Sequence, residues 1–182
     1  MDSVTVGLFL LIAGAVLYLR ARHRLRSAER EDAWRPPELR GAPIVYAEKQ
    51  FFTSLPIRLV ARVDRGLRTG RGIVLAELKT RSPERPYMSD VIELSAQKLA
   101  LEESAGEVVS RTAYVVTQHP TTGTRRTHPV RLLNTAEVIA LARRRERIIA
   151  GTERARIAWN RSLCRPCAFF EQCRPDRTAH GE

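Results

Sequence analysis

The segment that most restricts the fold is Ile73 to Thr80, IVLAELKT, an apolar strand interrupted by Glu77 and Lys79. Apolar residues on both faces predict a strand covered above and below, as in the middle of a sheet. Side chains alternate along a strand, so Glu77 and Lys79 leave from one face. Val74, Ala76 and Leu78 are predicted to point the other way, into the core. Charged groups on so apolar a strand argue against a merely solvated edge.

The flanking sequence supplies the rest of a sheet. Ile44 to Phe52 and Ile57 to Leu67 read as two strands, and Arg68 to Gly72 (RTGRG) has hairpin-turn chemistry. Ser89 is placed to cap a helix running from Asp90 to about Ser104, with Gly106 ending it. Arg111 to Thr117 and Thr127 to Leu133 read as strands around a turn at Thr121–Arg126. Asn134 then caps an arginine-rich helix predicted to reach about Trp159. The order β-β-β-α-β-β-α predicts an α/β (α+β) fold, a central sheet with helices packed on it. At 182 residues and 43% hydrophobic, the chain has room for one such domain and an appendage at each end.

Asp64 lies near the end of the second strand, and the hairpin folds that strand back beside Glu77. Two carboxylates and the Lys79 ammonium would then converge, as metal-assisted phosphodiester hydrolysis requires. Carboxylate oxygens suit Mg²⁺ or Mn²⁺, and such an ion polarises a phosphate and acidifies its bound water. A nearby lysine positions the attacking water and offsets developing negative charge. Lysine occurs only at Lys49, Lys79 and Lys98 in a chain otherwise basic through arginine, which singles out Lys79.

The stretches ARVDRGL, GIVLAELKT and SAQKLAL resemble the PD-(D/E)xK nuclease superfamily, in particular its RecB-like members, including the CRISPR-associated iron–sulfur exonucleases. The resemblance runs from about Ile44 to Leu101. It implies a restriction-endonuclease-like mixed central sheet flanked by helices. It also implies that Asp64 and Glu77 are metal-binding acids and Lys79 the catalytic lysine. Gln97 matches the helical glutamine expected near the active site and DNA, and Glu48 the acid that many members contribute upstream. Arg62 stands where the family often has glycine, and Leu101 where it usually has tyrosine.

The two ends read differently. Val4 to Leu19 carries no charge and, as a helix at 1.5 Å per residue, spans about 24 Å, near the short limit for a membrane core. Arg20, Arg22, Arg24 and Arg26 follow, which predicts a single-pass anchor with the remaining chain cytoplasmic. Residues 1–26 are thus expected as anchor and basic stop, 27–42 as linker, and 43–160 as the nuclease-like domain. Residues 161–182 form a cysteine tail, with all three cysteines, Cys164, Cys167 and Cys173, in a C-x2-C-x5-C spacing. An odd, tight set suits a metal better than a disulfide framework. By resemblance the tail holds an iron–sulfur cluster, although no upstream cysteine supplies a fourth ligand. Zn²⁺ on the three thiolates plus His180 is the alternative, and loss of the site a third.

Lys+Arg number 31 against 20 Asp+Glu, a net charge of +11, which favours a polyanionic partner. Arg143, Arg144, Arg145, Arg147, Arg154, Arg156 and Arg161 load the last helix and its exit. They read as a DNA phosphate-tracking surface or as a solvated helix face, and Lys98 beside Gln97 reads likewise. The sequence as a whole predicts a membrane-anchored, Mg²⁺- or Mn²⁺-dependent DNA nuclease, exonuclease-like. The rivals are a nuclease-fold protein that binds DNA without cutting it, and a membrane-associated metal or redox sensor built on the tail.

Overall fold

The structure is a computed structural model, and it describes residues 12–20, 22, 34–155, 168 and 170. The chain divides between Ile139 and Ala140 into two compact units. The first is built on β1 (Ile44–Thr53), β2 (Leu59–Thr69), β3 (Gly72–Thr80), α1 (Met88–Ala105), β4 (Thr112–Gln118) and β5 (Arg125–Arg131). The strands form one sheet in the order β1-β2-β3-β4-β5. β1 to β3 are an antiparallel meander, β3 and β4 run parallel, and β5 returns antiparallel on β4. A parallel neighbour needs a crossover, and α1 supplies it. β3 is therefore the central strand, as its two apolar faces predict. The fold is the mixed, helix-flanked α+β architecture expected.

Each face of β3 has its own core. Ile73 and Leu75 pack with Val63, Phe51, Val115 and the α1 residues Leu94, Ala100 and Leu101. On the opposite face Val74 and Ala76 pack with Leu67, Tyr114 and Leu39. Leu39 lies in a short 3-10 helix, Pro37–Leu39, within the stretch read as a linker. Burying a leucine is worth about 1.5–3 kcal/mol, so the segment around it is drawn onto the sheet. Trp34 packs against the same cluster, and the Tyr114 hydroxyl donates to Glu38. The apolar core predicted on one side of β3 thus has a larger counterpart on the Glu77 side, under α1. Leu78 is no part of either core and is 43% exposed. The β2–β3 pairing ends at Arg65 and Ala76, which leaves Leu78 without a backbone ladder partner on β2.

Gly72 ends the β2–β3 hairpin at φ 111°, where a Cβ would stand 2.3 Å from the Val108 carbonyl oxygen. That oxygen accepts the Ile73 N–H at 2.8 Å, so no larger residue fits beside it. α1 starts at Met88, ahead of the predicted Ser89 cap. Asp90 does the capping, accepting the Tyr87 N–H at 2.7 Å and pairing with Arg81 at 2.5 Å, which a serine could not match. Gly106 closes the helix in the left-handed conformation, as expected.

α2 (Thr135–Ile149) opens on the predicted cap. Asn134 Oδ1 accepts the Glu137 N–H at 2.9 Å, and Glu137 returns a bond to the Asn134 N–H at 2.7 Å. The helix stops about ten residues short of Trp159. The N–H groups of Thr152 and Glu153 turn back onto the Arg147 carbonyl and end it.

Candidate active site

The alternation of β1 and β2 breaks at one level of the sheet, and the acids lie there. Val63 and Leu67 are four apart, which in a regular strand means one face, yet they pack into opposite cores. Tyr46 and Phe51 are five apart, yet both sit on the α1 side with their rings edge to face at 5.1 Å. Between them Glu48 has φ 51°, an uncommon value for a non-glycine residue. The pairing is kept on both sides of this level, Ala47 with Arg65 and Lys49 with Val63. The result is a local twist that turns Glu48 and Asp64 toward the point where β2 and β3 part. Asp64 Oδ2 reaches across to the Leu78 N–H at 3.4 Å.

On β3, Glu77 is 4% exposed and holds a partner on each oxygen. Lys79 Nζ donates to Oε1 at 2.9 Å and Gln97 Nε2 to Oε2 at 2.8 Å. Burial pushes the Glu77 carboxyl up to about 7, against the two hydrogen bonds and with the help of nearby Asp64 and Glu93. Burial works the other way on Lys79, but its hydrogen bonds to Glu93, at 2.7 Å, and to Glu77 prevail and raise its pKa.

Glu93 went unnoticed in the sequence. It sits four residues before Gln97, so the two share a face of α1 that lies over β3. That spacing was the available signal. The Arg81–Asp90 pair sets the phase: it ties the end of β3 to the first turn of α1, and Arg81 also covers the Tyr87 ring at 4.4 Å.

An open cleft of about 190 Å³ lies where β2 and β3 part. Glu48, Asp64 and Glu77 border it, with Trp34, Arg65, Ala76, Leu78, Val116 and Arg125. Sequence reading missed Trp34, Arg65 and Arg125, which lie outside the acidic motif. Among the described residues no three His, Cys, Asp or Glu side chains are gathered closely enough to hold a metal as they stand. Glu48 is drawn aside by Arg62 at 2.5 Å and Arg65 at 3.4 Å. The chemistry of the place nevertheless fits a hard divalent cation. Its donors are carboxylate oxygens, and the Glu77 carboxyl, raised chiefly by burial and further by Asp64 and Glu93, is one whose charged form a bound cation would favour.

The remaining candidates fall elsewhere. Lys98 does not face this cleft; it pairs with Glu102 one turn along α1, beside Ser95, Leu133 and Val138. In the second unit Arg144 and Arg147 both bind Glu153, at 2.7 and 2.9 Å. Arg143 is exposed. Cys164, Cys167, Cys173 and His180 lie outside the described residues, as does most of the apolar N-terminus. Residues 12–20 are helical and exposed, and among the described residues no helix is long and apolar enough to cross a membrane.

Comparison with known proteins decides the family. A model of the PD-(D/E)XK nuclease superfamily matches residues 9–174. The chain belongs to that superfamily. PD-(D/E)XK members are typically metal-dependent nucleases, and membership carries with it a nuclease-type function and nucleic acid as partner. The crystal structure of SSO0001 is similar to this PD-(D/E)XK chain with a TM-score of 0.51 and 16% identity. It covers 88% of this chain and 70% of its own, a likeness of fold. No curated protein matches.

Proposed function

We propose that the chain is a divalent-metal-dependent deoxyribonuclease, exonuclease-like, held at a membrane by its N-terminal segment. One observation carries the reading: a buried glutamate bonded by both a lysine and a glutamine, beside a second acid in an open cleft. Burial raises that glutamate to about 7, a perturbation of the kind that active-site carboxylates carry.

Asp64 and Glu77 would hold Mg²⁺ or Mn²⁺, with Glu48 as a third acid once released from Arg62. Such an ion, when bound, supplies a Lewis acid for the phosphate oxygen and a more acidic water. Lys79 holds the attacking water and offsets the charge that develops on the phosphate. Glu93 and Glu77 between them fix the Lys79 ammonium, and Gln97 fixes the carboxylate plane of Glu77. Cleavage of end-labelled DNA in Mg²⁺ or Mn²⁺ tests the reading. Asp64→Ala and Lys79→Ala should each abolish it, and cleavage surviving both would rule out the assigned site.

The exposure of Ile12, Val16, Leu17, Tyr18 and Leu19 supports the anchor, because such a surface belongs in lipid or against a partner. Membrane fractionation of the full chain checks it, with the following arginines keeping the nuclease unit cytoplasmic. For the tail we favour an iron–sulfur cluster on Cys164, Cys167 and Cys173 over Zn²⁺. Visible absorption and metal content of protein prepared without oxygen separate the two.

A further inference from the structure

The end of the β1–β2 hairpin is apolar, exposed and in line with the cleft. Phe52 is 71% exposed, Leu55 75% and Val60 57%, the most open apolar group on the sheet. The loop is not frayed. Thr53 Oγ1 donates to the Leu55 carbonyl at 2.5 Å and accepts its N–H at 3.2 Å, while Ile57 is buried. A braced turn that holds Ile57 inside and Leu55 outside presents its apolar side chains by construction.

The direction of these side chains follows from their neighbours. Phe51 and Val63 pack under α1, so Phe52, Val60 and Arg62 project from the opposite face, which also carries Ala76, Leu78 and Val116 of the cleft lining. Phe52 pairs with Val60 and Gln50 with Arg62, and the next level holds Glu48 and Asp64. An aromatic rung, a rung carrying a cation, and the acids therefore succeed one another along one track. At about 3.4 Å per residue the aromatic rung lies about 14 Å from the acids. That is about four nucleotides at the 3.4 Å spacing of a stacked strand. Arg58, exposed beside the tip, has no hydrogen-bond or ion-pair partner among the described residues.

We infer that this hairpin end is a stacking platform for an unpaired DNA strand lying in the cleft. Phe52 takes the face of a base, Val60 and Leu55 widen the apolar seat, and Arg58 and Arg62 meet the phosphates. Stacking on an exposed ring is open to any base and needs the strand to be unpaired. The flanking cations favour a polyanion over an apolar protein surface. The inference deepens the nuclease reading by naming its substrate as single-stranded at this point.

The test is binding of a fluorescent oligothymidylate, and of a duplex of equal length, to the full chain in detergent without divalent metal. Phe52→Ala should weaken the single strand about tenfold and the duplex less than twofold, and Phe52→Trp should restore the single strand. Unchanged single-strand affinity in Phe52→Ala overturns the inference. So does a substitution whose effect appears only in sedimentation mass, which would make the tip a contact with a second copy. An effect confined to binding of phosphatidylglycerol vesicles would also overturn it and make the tip a membrane contact. Cleavage of the same oligonucleotide in Mn²⁺, by wild type and Asp64→Ala, reports the nuclease reading separately. Cleavage that needs Asp64 beside binding indifferent to Phe52 sinks the platform alone. Binding that needs Phe52 without Asp64-dependent cleavage sinks the nuclease alone.

Discussion

Gln97 donates its amide N–H to Glu77 Oε2 at 2.8 Å, joining a helix to the central strand across twenty residues of sequence. Both side chains are buried, and the other Gln97 atom, Oε1, has no hydrogen-bond partner. An amide used so incompletely is a poor device for stability. Its value is in holding one carboxylate in one orientation. Gln97→Ala should therefore lower Mn²⁺ affinity and turnover about 10- to 100-fold, the usual effect of losing a group that orients a metal ligand. Circular dichroism should show the fold retained.

Glu77 gives a dependence on pH in the metal-free protein. Its carboxyl rises from the ordinary 4.5 to about 7 on folding, so the folded state takes up a proton that the unfolded chain has lost. Below pH 4.5 both states are protonated and there is no penalty. As pH rises through 7 the buried charge must form, and stability falls by about 1–3 kcal/mol. Glu77→Gln removes the titration. In urea melts without metal, the variant should gain on wild type between pH 5 and pH 8, while losing cleavage altogether.

Asp90 should matter to the site without touching it. It is almost wholly buried, caps α1 and holds Arg81. Asp90→Ala leaves Arg81 without its carboxylate and should cost about 3–5 kcal/mol. Because α1 carries both Glu93 and Gln97, cleavage should fall more steeply with temperature than in wild type. Parallel melting and rate measurements check both effects.

The centre of this site was legible because its residues violate the rules of their own element. Glu77 and Lys79 stand out in an apolar strand, and Asp64 stands one hairpin away. Gln97 came only from the family resemblance, since a glutamine on a helix is by itself ordinary. Glu93 was equally close but looked like an ordinary exposed acid on a helix, and only the phase of α1 against β3 distinguishes it. Trp34 was hidden differently, in a proline-containing stretch with no period, where the apolar partners are distant in sequence. The twist at Glu48 and Asp64 is a change of face in two paired strands at once, and residue-by-residue alternation cannot reveal it. Lys98, one residue beyond Gln97 in sequence, lies about 100° around the helix and turns toward Glu102.

Mn²⁺ binding to the full chain, followed by the electron paramagnetic resonance of the free ion, tests the central claim most directly. Wild type should bind the ion, and binding should weaken at least tenfold in both Asp64→Ala and Glu77→Gln, together with loss of DNA cleavage. Equal Mn²⁺ binding in wild type and both variants would contradict it.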